Sequence, residues 1–280
     1  MAEIKLVVTD LDGTYLDQGR ILPENEAQVR RVQRLGVRVM ACTGRTWTMC
    51  DWLIPQLGFD EYAVTSNGAS IVEGRSGRVW HRQRLNPDFL RPLAEAALEA
   101  NVPFDVYCGP HIHTFAPLRS AWTQNHQRRA ATTPPEQRIR FVDFDDLDSW
   151  EAGTRDVAEL FRVEVGPNQP FPEPLRRAMQ RHGMGENVTM SFQDHWDICD
   201  PEATKENAIA RVCAHFGIAR QEVLALGDSL NDAGMLEWAG VGVAMGNASP
   251  HAKQAADYVS APCAQGGFAK ALQRFVGGEA

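Results

Sequence analysis

Over the first eighty residues, short apolar runs alternate with segments of helical period. IKLVVTD (residues 4–10), VRVMACT (37–43) and EYAVTSN (61–67) read as strands, and PENEAQVRRVQRLG (23–36) and the stretch from Thr46 to Leu57 read as helices between them. The pattern is βαβαβ. The first helix is predicted to start at Pro23, turn Ala27, Val32 and Leu35 inward, and stop at Gly36, where a residue without Cβ can take the left-handed conformation. Strands joined by such crossovers run parallel, with helices covering the sheet.

The end of the chain resumes this rhythm. TKENAIARVCAHFG (204–217) places Ala208, Ile209, Val212, Cys213 and Phe216 on one helical face and ends on Gly217. QEVLALGD then reads as a strand running into a loop, LNDAGMLEWAG as a helix, VGVAMGN as a strand and 267–276 as a last amphipathic helix. The middle differs. It reads as a helix from Asn86 to Ala100, a strand pair in PFDVYCGPHIHTFA, strands at 139–143 and 157–165, a helix at 172–182, and then VTMSFQ and HWDICD. The fold class expected is therefore α/β, a doubly wound parallel sheet formed by 1–84 and 191–280, with an inserted α+β unit at 85–190.

Composition narrows the function. The 280 residues carry a formal charge of −8 and no apolar run approaching the ~20 residues that span a bilayer, which argues against membrane transport and against whole-chain capture of nucleic acid. No secretory signal precedes the first strand, so a cytoplasmic location is expected. The six cysteines form no CxxC pair and read as reduced, buried thiols. Of the 28 cationic side chains only Lys5, Lys205, Lys253 and Lys270 are lysines. The segment from Leu118 to Arg140, with Arg119, Arg128, Arg129, Arg138 and Arg140, reads as a solvated face or as a substrate-facing loop.

Four polar motifs follow strands. Asp10-Leu11-Asp12-Gly13-Thr14 puts two carboxylates on one side of an extended segment at the edge where open α/β sheets do their chemistry. Two ionised carboxylates so close need a cation, and Mg²⁺, which prefers oxygen ligands and keeps water or phosphate in its shell, is the natural one. Thr43-Gly44-Arg45 after the second strand offers a hydroxyl and backbone N–H groups to a phosphate oxygen, or simply a helix cap. Lys205 is either a solvated lysine or, if the sheet brings it near the carboxylates, a group that neutralises a transferring phosphoryl. Gly227-Asp228-Ser229-Leu230-Asn231-Asp232 adds a third carboxylate at the same edge, with Asn231 and Asp232 one turn behind it.

In this order, DxDGT, TGR, Lys and GDxxND resemble the haloacid-dehalogenase superfamily of phosphohydrolases, and more narrowly its Cof-type subfamily, in which a cap is inserted between the second and third motifs. The resemblance covers roughly 1–84 and 190–280, including Asn67-Gly68-Ala69 and 243–248, and is weak through the insert. It implies an aspartyl-phosphate mechanism with Asp10 as nucleophile and Asp12 as general acid and base. It implies catalytic roles for Thr43 and Lys205, and phosphate contact by Asp10, Thr43, Gly44, Lys205 and Asn231. Mg²⁺ would be held by Asp10, the Asp12 carbonyl and Asp228, with Asn231 and Asp232 supporting.

The expected function is a Mg²⁺-dependent phosphatase of small phosphorylated metabolites. Sugar phosphates, phosphorylated sugar acids, pyridoxal phosphate and flavin nucleotides or their precursors are candidates, chosen by the cap. The alternatives are a phosphomutase or other phosphotransferase on the same core, and a phosphate-responsive regulatory module without enzymatic activity. A haloacid dehalogenase would need neither Asp12 nor Mg²⁺. His111, His113, Trp122 and the arginines near 128 are candidate specificity groups in the insert, and Tyr15 is expected to face the core.

Overall fold

The computed structural model describes residues 2–277 apart from 61, 168, 186 and 193, with backbone alone at 191 and 192. The chain folds as two compact units, one made of Met1–Gly44, Leu53–His81 and Thr204–Ala280, the other of Arg45–Trp52 and Arg82–Ala203.

Among the described residues the first unit is built on an eight-stranded sheet. Its strands in chain order are β1 (Leu6–Thr9), β2 (Arg38–Cys42), β3 (Tyr62–Thr65), β4 (Ser70–Glu73), β5 (Val79–Arg82), β6 (Val223–Gly227), β7 (Val241–Ala244) and β8 (Tyr258–Val259). They lie in the order β8-β7-β6-β1-β2-β3-β4-β5. From β8 to β3 all pairs are parallel, while β3 and β4 pair antiparallel. The β1 and β6 segments are buried throughout, as their unbroken Val and Leu runs require of strands covered on both faces.

The helix Pro23–Arg34 begins with proline and ends beside Gly36 at φ +83°. Its buried positions are Asn25, Val29 and Val32. Ala27 and Leu35 are exposed, contrary to expectation, because the 25/29/32 spacing sets the inner face and Leu35 lies past the last turn. The stretch from Thr46 to Leu57 also departs from its predicted helix. It holds only the short 3₁₀ turns Trp47–Met49 and Ile54–Gln56. Pro55 lacks an N–H near the end of the segment, and tertiary bonds claim its first half: the Thr46 hydroxyl donates to the Gly109 carbonyl at 2.8 Å, the Arg140 amide donates to Thr48 Oγ1 at 3.0 Å, and Arg140 pairs with Asp51 at 2.6 Å.

Among the described residues the second unit carries a six-stranded sheet in the order 141–144, 111–115, 104–108, 160–164, 195–199, 188–192. The first pair is parallel and the others antiparallel. Both strands after residue 187 pair in this sheet, which is why the unit runs on to Ala203. One sheet face presents Phe104, Val106, Phe161, Val163 and Ile198 to a core shared with Leu93, Trp150 and Leu175 from three helices. Alternation turns Asp105, Tyr107, Arg162 and Asp197 to the other face, where Arg162 binds Asp197 through two nitrogens, at 2.6 and 2.9 Å, and also contacts the Tyr107 hydroxyl.

The arginine-rich segment is ordered, with a Ser120-capped helix Ala121–Arg129 and pairs from Arg119 to Asp143 and Arg140 to Asp51. Arg128 and Arg129 are exposed. His113 is a buried packing group whose Nδ1 lies 3.1 Å from Thr154 Oγ1. Tyr15 is fully buried, edge-on to Phe59 and Phe268, and all six cysteines are buried free thiols. Among the described residues no helix is long and apolar enough to cross a membrane.

Trp150 has no exposed surface and stands edge-on to Phe104 and Phe161, with ring centres at 5.3 and 6.3 Å. Trp150→Ala is expected to destabilise the second unit by roughly 3–5 kcal/mol, read as a lowered urea midpoint of its unfolding.

Candidate active site

Asp10 and Asp228 leave the carboxyl ends of adjacent strands. β1 and β6 pair with Thr9 opposite Leu226, and the Asp10 amide donates to the Leu226 carbonyl at 2.9 Å. Connections diverge here, toward β2 and β3 on one side and β7 and β8 on the other, and such a switch point opens a crevice at the sheet edge.

Lys205 reaches this crevice from the first turn of the helix Lys205–Phe216, which Thr204 caps by accepting the Asn207 amide at 3.2 Å. Its Nζ donates to Asp10 Oδ1 at 2.8 Å, Asp232 Oδ1 at 2.6 Å and the Cys42 carbonyl at 2.8 Å, and the residue is 2% exposed. Three donors meet three acceptors. Burial would lower the pKa of such an ammonium, but the carboxylates of Asp10 and Asp232 more than offset that and hold it above the ordinary lysine value.

Asp232 also braces the turn it ends, its second oxygen accepting the amides of Asp228 and Ser229 at 2.8 Å each. Asp228 is held by the Thr14 hydroxyl, which donates to Oδ1 at 2.9 Å. Gly13, at φ +77°, passes so close that a Cβ there would stand 2.5 Å from Asp228 Oδ2. The Asn247 amide nitrogen donates to the Gly13 carbonyl at 2.9 Å, while its oxygen accepts the Cys263 amide at 2.7 Å.

Asp10, Asp228 and Asp232 each offer an oxygen within 4.8 Å of the others. This carboxylate trio has Asp232 where the expected ligand set had the Asp12 carbonyl, although both Asp232 oxygens are already engaged by Lys205 and the turn. Asp12 is half-buried next door. Burial pushes the Asp10 carboxyl well up, Lys205 opposes, and Asp232, Asp228 and Asp12 add to the rise. Burial, reinforced by Asp232, pushes Asp228 up to about 7. One ammonium is thus too little positive charge to offset the burial and mutual repulsion of these carboxyls. An all-oxygen, anionic donor set short of positive charge fits a hard divalent cation.

Thr43 is buried at the end of β2, its amide donating to the Val64 carbonyl at 2.9 Å and its carbonyl accepting the Asn67 amide at 3.2 Å. Among the described residues no α-helix starts between Gly44 and β3. The expected α-helix N-terminus is therefore missing among the described residues, and the Thr43 amide is committed to the sheet. Asn231 donates through Nδ2 to Asn67 Oδ1 at 2.9 Å. Thr14, Asn67, Asn247 and the Cys42 carbonyl thus join the site without having been assigned roles from sequence. Asn67-Gly68 does carry the signal of a turn; a backbone carbonyl such as that of Cys42 carries none.

Comparison with known proteins identifies similar chains. The profile of the haloacid dehalogenase-like hydrolases matches residues 7–272. The chain is 30% identical over 276 residues to the 5-amino-6-(5-phospho-D-ribitylamino)uracil phosphatase YcsE of Bacillus subtilis, covering 98% of this chain and 96% of that protein. It is 28% identical over 270 residues to the phosphatase YwpJ of the same organism, covering 92% and 94%. The solved structure of a haloacid dehalogenase-like hydrolase from B. subtilis superposes with a TM-score of 0.80 at 26% identity, covering 98% of this chain and all of that one.

The raised Asp228 value has a consequence for stability. Between the unfolded carboxyl value of about 4 and about 7, the folded protein keeps a proton that the unfolded chain has released, so this group's contribution falls as pH rises through that window. The metal-free protein is expected to show a lower urea midpoint at pH 8 than at pH 5, with Mg²⁺ restoring part of it at pH 8. Asp228→Asn should shrink both differences, and a variant that leaves them unchanged would assign them to other groups.

Proposed function

Because the chain belongs to the haloacid dehalogenase-like hydrolase family, we propose that it is a Mg²⁺-dependent phosphatase of small phosphorylated metabolites, working through an aspartyl-phosphate on Asp10. The observation that carries this is the buried Lys205 ammonium bonded to Asp10 and Asp232 beside the Asp10, Asp228 and Asp232 cluster. The named phosphatases matched along nearly the whole chain support the same reading.

In the first step an Asp10 carboxylate oxygen attacks phosphorus and the ester P–O bond breaks. Asp12 donates a proton to the departing oxygen. In the second step Asp12, now a carboxylate, takes a proton from the water that attacks the acyl phosphate, releasing phosphate and regenerating Asp10. Lys205 favours the anionic form of Asp10 and aims it, and with Thr43, Gly44 and Asn231 would receive phosphoryl oxygens. Asp10, Asp228 and the Asp12 carbonyl would hold Mg²⁺, with Asp232 fixing the Asp228 turn from behind. When bound, Mg²⁺ supplies the positive charge that lets an anionic nucleophile meet an anionic phosphate.

The relatives are named for phosphorylated pyrimidine and pyridoxal compounds among others, which supports a small organic phosphomonoester as substrate. Six buried cysteines outside any disulfide support a reducing, cytoplasmic setting.

A panel of phosphomonoesters assayed with Mg²⁺ is expected to release phosphate from at least one. EDTA should abolish that release, and Asp10→Asn should lower it by roughly 10³-fold or more, a barrier increase of about 4 kcal/mol. Turnover that survives both would overturn the proposal.

A further inference from the structure

The connection between β3 and β4 has a backbone that its length does not require. Ser66, Asn67 and Gly68 have φ of +50°, +55° and +104° in succession. Two consecutive non-glycine residues in the left-handed region cost on the order of 1–3 kcal/mol each and persist only where the surroundings over-determine them. Here contacts to different parts of the site help to do so. The Asn67 amide donates to the Thr43 carbonyl at 3.2 Å. The Asn67 side-chain oxygen accepts Asn231 Nδ2 at 2.9 Å. Gly68 packs against the peptide entering the Lys205 helix so closely that a Cβ would lie 2.1 Å from the Thr204 carbonyl oxygen and 2.8 Å from the Lys205 amide nitrogen.

Asn67 is itself 4% exposed, and Asn231 Oδ1 is a buried acceptor without a hydrogen-bond partner in the structure. An amide nitrogen that spends one N–H on a neighbour carries its second N–H, the only group of the side chain that can donate to a phosphate oxygen, in one fixed direction. Left unpinned, Asn231 could rotate and offer either end, and a phosphate would meet a donor or an acceptor indifferently.

We propose that Asn67 is a positioning residue: it fixes the amide of Asn231 through its side chain and the carbonyl of Thr43 through its backbone, and so holds these two candidate phosphate contacts in register. The inference rests on the phosphatase reading for its kinetic consequence but not for the contact itself. Asn67 touches no reacting atom.

The test is a double-mutant cycle with Asn67→Gly, Asn231→Ala and the double variant, in Mg²⁺-containing buffer. Glycine suits φ +55° without strain, so Asn67→Gly removes the side chain while leaving the turn accessible. Two quantities are read on all four proteins: kcat/KM for the best phosphomonoester, and the Kd for inorganic phosphate. Each single variant is expected to lose roughly 10-fold or more in kcat/KM, given that misplacement by about 1 Å can cost 10²-fold. The double variant should lose little beyond the larger single loss, because the two residues act as a unit. Losses that multiply, or Asn67→Gly at wild-type kcat/KM, overturn the inference. If the wild type hydrolyses no ester, the proposed function fails, and phosphate affinity decides this inference alone: a non-multiplicative weakening supports it, while multiplicative weakening, an unaffected Asn67→Gly protein or a wild type that binds no phosphate overturns it. Unfolding midpoints accompany the cycle, and Asn67→Ala, which retains the left-handed strain, is expected to be less stable than Asn67→Gly while losing the same kinetic factor.

Discussion

One ammonium group, out of contact with solvent, ties the catalytic unit together. Lys205 Nζ can stay charged only if all three of its protons find acceptors, since removing a charge from water without them costs far more than the few kcal/mol by which a domain is stable. Its acceptors arrive from the ends of three neighbouring strands: Asp10 after β1, the Cys42 carbonyl at the end of β2, and Asp232 one turn past β6. The lysine comes from a helix that Thr204 caps and Gly68 seats. A slip in any of these strands would leave a donor unmet. The register of the sheet and the geometry of the site are consequently one constraint.

The same charge balance explains how an acidic chain can take an anionic substrate. Asp10, Asp12, Asp228 and Asp232 crowd one sheet edge, and Lys205 offsets only part of their charge. A protein with a net charge of −8 does not attract phosphate by its overall field. It concentrates excess negative charge at one sheet edge, where a divalent cation could be held by the Asp10, Asp228 and Asp232 oxygens.

Much of this was legible beforehand because it depends on local pattern. Val7, Val8, Leu224 and Leu226 sit in unbroken apolar runs that only a doubly covered strand explains, and Asp10, Lys205, Asp228 and Asp232 carry recognisable spacing from such strands. Other features depend on partners distant in sequence. Thr46 to Leu57 looks helical until Gly109 and Arg140 take its polar groups. Ala27 and Leu35 are apolar but off the buried stripe. Asn67 reads as a turn residue, and nothing in its neighbours announces that its side chain meets Asn231, 164 positions away. Composition predicts which residues carry chemistry better than it predicts what holds them still.

The assignment of 45–52 to the second unit makes the chain pass between the units at four places, after Gly44, Trp52, His81 and Ala203, instead of the two that a simple insertion has. A deletion joining residue 81 to 204 would therefore not liberate a minimal catalytic core. It would strand a loop whose Thr46, Thr48 and Asp51 had lost Gly109 and Arg140, immediately downstream of Thr43. The insert is not a detachable accessory: its removal would leave Thr46, Thr48 and Asp51, in the loop that directly follows Thr43, without Gly109 and Arg140 as partners.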